Sequence, residues 1–97
     1  MNQEKEDRNK NIIEKINSSE LNNIYFNEFA IGVSKHDIFI LLSRNGKAEA
    51  ILNASHITAK SFANSLSEAV REFEAQTNQT ILNSDEIEKL MEEDEND

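Results

Sequence analysis

Between Ser55 and Gln76 the apolar residues return at Ala59, Phe62, Ala63, Leu66, Ala69, Val70 and Phe73. That is the i, i+3, i+4, i+7 spacing of one helical face, and it predicts a long amphipathic helix. Lys60, Ser61, Ser67 and Arg71 make the opposite face polar, and neither Pro nor Gly interrupts the run. Ser55 stands where an N-cap belongs, its hydroxyl placed to accept from an early helical N–H.

Upstream the period drops to two. Phe29, Ile31 and Val33 alternate with Ala30 and Gly32, which predicts a strand of about ten residues beginning at Ile24. A polar turn, Ser34-Lys35-His36-Asp37, leads into Ile38-Phe39-Ile40-Leu41-Leu42, a run apolar at every position and so expected to be buried on both faces. Arg44-Asn45-Gly46-Lys47 follows, and Asn-Gly between apolar runs signals a type I′ hairpin turn. Ala48 to Ala54 makes the third strand, and Ser55 opens the helix.

The turn lengths set the pairing. A four-residue loop at Ser34–Asp37 pairs 33 with 38, 31 with 40 and 29 with 42. A two-residue loop at Asn45-Gly46 pairs 42 with 49, 40 with 51 and 38 with 53. One face then carries Phe29, Ile31, Val33, Ile38, Ile40, Leu42 and Ile51, broad enough to receive the helix. The other carries Ala30, Gly32, Phe39, Leu41, Ala48, Ala50 and Leu52. The expected fold is α+β: a three-stranded antiparallel meander, one long amphipathic helix packed on it, and a short C-terminal helix. Asn83-Ser84, followed by Asp85 and Glu86, starts that last helix, and Ile87, Leu90 and Met91 give it one apolar stripe of about two turns.

Three segments result: a polar lead-in over 1–23, a core over 24–77, and a short helix with acidic tail over 78–97. The lead-in is either a short helix around 8–17, with Ile12 and Ile16 on one side, or disordered. The tail from Glu92 to Asp97 is expected to be disordered. Eight acids and one base fall within residues 78–97, so −7 of the net −9 sits there and the rest of the chain is close to neutral. No Lys/Arg cluster exists, which argues against direct nucleic-acid binding. There is no Cys, so disulfides and thiolate chemistry are excluded. No apolar leader or span is present, which makes cytoplasmic the expected location and a membrane an unexpected partner.

Tyr25-x-Asn27, the Ala-Ile-x-Val strand ending in Ser34, and Ala59-Lys60 opening a helix that closes on Phe73-Glu74 resemble a small bacterial family, catalogued as domain of unknown function 3467. Ser55 stands for its capping Thr and Leu66 for a helix Leu. His56, Ile57 and Thr58 depart from its Pro, Glu and His, and residues after 78 lie outside the likeness. The resemblance implies the same meander-plus-helix fold and brings no activity with it.

Candidate chemistry is sparse. His36 and His56 lack neighbours at metal-ligand spacing and read as surface residues. Ser55 has no Gly-x-Ser-x-Gly elbow around it, so it reads as a cap and not a nucleophile. Glu28 and Glu49 fall on opposite faces by this register and read as edge charges against aggregation. No enzyme, cofactor or metal is expected. The functional expectation is a non-enzymatic interaction protein, a homodimer or larger, joined through Phe39, Leu41, Leu52, Ala50 and Ala30 on the second face. The alternative is a small acidic inhibitor, of the phage or immunity type, that docks Ile87, Leu90, Met91, Glu92, Glu93 and Asp94 on a basic site of a target protein; a bacterial or phage source is expected.

Overall fold

The elements run in the order α1 (Asn2–Ile16), β1 (Glu28–Val33), β2 (Asp37–Arg44), β3 (Lys47–Ser55), α2 (His56–Thr77) and α3 (Ser84–Glu95). The structure, a computed structural model, describes residues 2–95 and the side chains of 3–93. It has the expected α+β class, with the strands forming one antiparallel sheet in the order β1-β2-β3. The chain divides into two units, Met1–Asn53 and Ala54–Asp97.

In the first unit the register matches the one the turns predict: Phe29 faces Leu42, Ile31 faces Ile40, and Val33 faces Ile38. The Ser34 N–H donates to the Asp37 carbonyl at 2.8 Å, while the Ser34 hydroxyl accepts the Asp37 N–H at 3.0 Å. Neither Lys35 nor His36 has positive φ, and the Ser34 side chain reinforces this reversal. Asn45 and Gly46 have φ of 52° and 84°. Both signs are those of a type I′ turn, whose twist matches the strands.

β1 is shorter than the alternation suggests. It begins at Glu28 and not Ile24, because β2 ends at Arg44 and leaves no strand for earlier residues to pair with. The burial expected for β2 on both faces is realised only at Leu42, which is 5% exposed; Ile38, Ile40 and Leu41 are half-buried and Phe39 is 43% exposed. α1 spans 15 residues where the lead-in suggested a shorter helix or disorder. Glu4 with Arg8 and Glu6 with Lys10 stand at i, i+4 in the favourable acid-before-base order, which supports the helix on its own surface.

In the second unit Ser55 is the N-cap of α2, with its hydroxyl accepting from the Thr58 N–H. Asn78 ends the helix in the left-handed region at φ 53°, a conformation Asn tolerates. The Glu74 carboxylate then takes the Ile81 N–H at 2.7 Å and fixes the chain after the cap. α3 opens with a reciprocal capping box: Asn83 Oδ1 accepts the Glu86 N–H and Glu86 Oε1 accepts the Asn83 N–H. It runs for 12 residues, longer than the two turns of its apolar stripe, and takes in residues expected to be disordered. Asn96 and Asp97 lie outside the described residues.

Gly32 has a steric role. A Cβ built on it would fall on the Phe39 ring, with Cε1 only 2.6 Å away, so the ring lies across the glycine of the facing strand. Gly32→Ala is expected to destabilise by about 1 kcal/mol, the low end of overpacking costs because the half-exposed ring can yield. In a Phe39→Ala background the same change should stabilise by about 0.4–1 kcal/mol through the unfolded state. Urea melts of the four chains check the reversal of sign, and additive effects would mean the ring does not lie there.

Candidate functional site

The polar constellation with the most defined geometry sits where β1 begins. Asn27 donates from Nδ2 to Asn45 Oδ1 at 2.9 Å and accepts the Asn45 N–H on Oδ1 at 3.1 Å. Glu28 Oε1 accepts the Gly46 N–H at 2.6 Å, and the Asn27 N–H reaches the Ser43 carbonyl at 3.1 Å. Two consecutive side chains thus clasp a tight turn 18 residues further on. They satisfy turn groups that water would otherwise hold. The clasp is structural: two amides and a carboxylate meet backbone groups of the turn, and none of them is a nucleophile. It gives Asn27 of the Tyr25-x-Asn27 motif a physical role. It also reassigns Glu28, which the sequence suggests is an edge guard, to a turn acceptor.

The other charged strand residue, Glu49, lies 3.7 Å from the Arg44 guanidinium. With Arg44 more than half exposed, such a pair contributes little. His36 lies in the β1–β2 reversal and His56 begins α2, both at the surface. Among the described residues no group of three His, Asp or Glu side chains gathers to hold a metal ion. Among the described residues, open grooves of about 380 Å³ and about 360 Å³ lie beside Leu82, Glu86 and Leu90 and beside Ile16, Leu21 and Ile24. Neither has the convergent polar groups that orient a small ligand.

The residues proposed from sequence for assembly are placed as follows. Ala30 and Leu41 are direct cross-strand partners, and Phe39 lies over Gly32 on the same side. The two-residue turn carries the alternation on, which puts Ala50 and Leu52 on that side too. Phe39, Leu52 and Ala30 are exposed, while Leu41 and Ala50 are half-buried. The broad face is the barer one at its β1 margin: Phe29 is 67% exposed, Ile31 59% and Val33 73%. Sequence reasoning reserved that face for the core. On α3, Ile87, Leu90, Met91, Glu92 and Glu93 are exposed, and the Asp94 side chain lies outside the described ones. Among the described residues no helix is long and apolar enough to cross a membrane.

Comparison with protein-family models, with curated proteins and with solved structures finds no match for this chain.

Substitutions at Glu28 separate its two roles. Glu28→Gln keeps an acceptor without the charge and is expected to stay within about 0.5 kcal/mol of the parent. Glu28→Lys keeps a charge at the sheet margin without the acceptor and should cost about 0.5–1.5 kcal/mol. Denaturant midpoints at constant m decide between them; the reverse order would restore the edge-guard role.

Proposed function

We propose that this chain is a non-enzymatic protein–protein interaction module that self-associates through its sheet. The observation that supports this most is the bare margin of the sheet: on β1, Phe29 is 67% exposed, Ile31 59% and Val33 73%, a row of large apolar side chains on one strand. Chains this small have little core of their own and commonly complete it by association. Kinship with the family named above is part of the same proposal and rests on the residues quoted for it.

A second reading keeps its place because α3 is an ordered helix. Its stripe of Ile87, Leu90 and Met91 is exposed beside Glu92 and Glu93, a combination that suits docking on a basic groove of a target protein. The two readings differ in their response to ions. Attraction driven by the tail weakens steeply as salt rises, whereas apolar association does not.

Light scattering after size exclusion, at several concentrations and at low and high salt, tests the first reading. A mass of at least twice 11.1 kDa that persists at high salt is expected. A single-chain mass at every concentration would sink the self-association reading.

A further inference from the structure

We propose that two copies of this chain join edge to edge through β1, antiparallel about a twofold axis at Ile31. The inference rests on the self-association reading and names its contact.

β1 is an outer strand, since the sheet order is β1-β2-β3. Its hydrogen-bonding parity follows from the reversal that ends it. Ser34 and Asp37 form a hydrogen-bonded pair, with the Ser34 N–H on the Asp37 carbonyl. In an antiparallel ladder such pairs alternate. Gly32 with Phe39 and Ala30 with Leu41 are therefore the bonded pairs, and Phe29, Ile31 and Val33 turn their amide and carbonyl groups outward. Among the described residues no loop or side chain bonds to those outward groups. β1 has no Pro and no Lys, and its one charge, Glu28, is committed to the Gly46 N–H. The usual guards of an edge strand are missing.

The strand is also self-complementary. An antiparallel twofold at Ile31 sets Ile31 against Ile31 of the second copy and Phe29 against Val33, which are the residues with outward backbone groups. Every one of these positions lies on the broad face, so the bare margins of the two sheets merge into one apolar surface. On the other side Ala30 meets Gly32, small residues that allow close approach. Glu28 faces Ser34 of the second copy, so no like charges meet. The outer edge at β3 is less suited. A twofold at Ala50 would set Glu49 beside Ile51 of the second copy and mix a carboxylate into the apolar margin. The occupant is thus a second copy, and the edge is β1.

The chain has no cysteine, which makes single-cysteine variants clean reporters. Residues facing each other in a hydrogen-bonded antiparallel pair have Cα atoms about 5.5 Å apart, within the disulfide range. Ile31→Cys, Ala50→Cys and Leu52→Cys would each be oxidised with oxidised glutathione in the full chain and read on a non-reducing gel. Ile31→Cys is expected to give a covalent dimer at least tenfold faster than the other two. Ile31→Pro, whose missing N–H faces outward and leaves the β1–β2 ladder intact, should run as a folded monomer by light scattering and circular dichroism. If Ala50→Cys or Leu52→Cys cross-links instead, or if no variant does while the parent is a dimer, the β1 contact is overturned and self-association stands. If the parent has the mass of one chain, both fall.

Discussion

Asn45 and Gly46 turn β2 into β3 in two residues, and the side on which every later strand residue falls follows from that count. A one-residue slip would exchange the two faces, because side chains alternate with a period of two. The left-handed φ values at Asn45 and Gly46 are what make the short count possible. Asn27 and Glu28 then hold the turn from the neighbouring strand, so the first residues of β1 and the far end of β2 are tied to the same point. The hydroxyl of Ser34 does the equivalent work at the other reversal.

Much of this was legible in the chain. The Asn-Gly pair, the Ser55 cap and the register between β1 and β2 all follow from local rules, because each depends on residues close in sequence. Contacts between distant residues were less legible. Glu28 looks like any charge in a strand until the turn 18 residues away is folded beside it. The start of β1 depended on where β2 runs out, which its own alternation does not reveal. The lengths of α1 and α3 were underestimated because apolar stripes mark only the part of a helix that packs. Propensity and surface pairs carry the remainder.

Burial is where the chain departs furthest from its pattern. An unbroken apolar run such as Ile38 to Leu42 specifies what a strand would hide, but the layers that hide it are a separate matter. Among the described residues Leu42 alone is buried, and the margin formed by Phe29, Ile31 and Val33 is bare. Small chains commonly resolve this shortage by association, since their surface is large for their volume. The acidic α3 sets a different limit. Its concentration of negative charge opposes close approach of two copies of that helix, which accords with the proposal that copies meet through the near-neutral sheet.

The short reversals have a kinetic corollary. No pair along the β1–β2 ladder is more than 15 residues apart in sequence, and the chain contains no proline. Low sequence separation between partners favours rapid folding, and a hairpin of this kind closes in about 1–10 μs. Without prolyl isomerisation there is no slow internal step from that source to delay it. Meeting of two copies is bimolecular, so dilution slows it while leaving hairpin closure untouched. In the proposed dimer the sheet takes its shape long before the two copies meet, and in a dilute solution the encounter sets the clock.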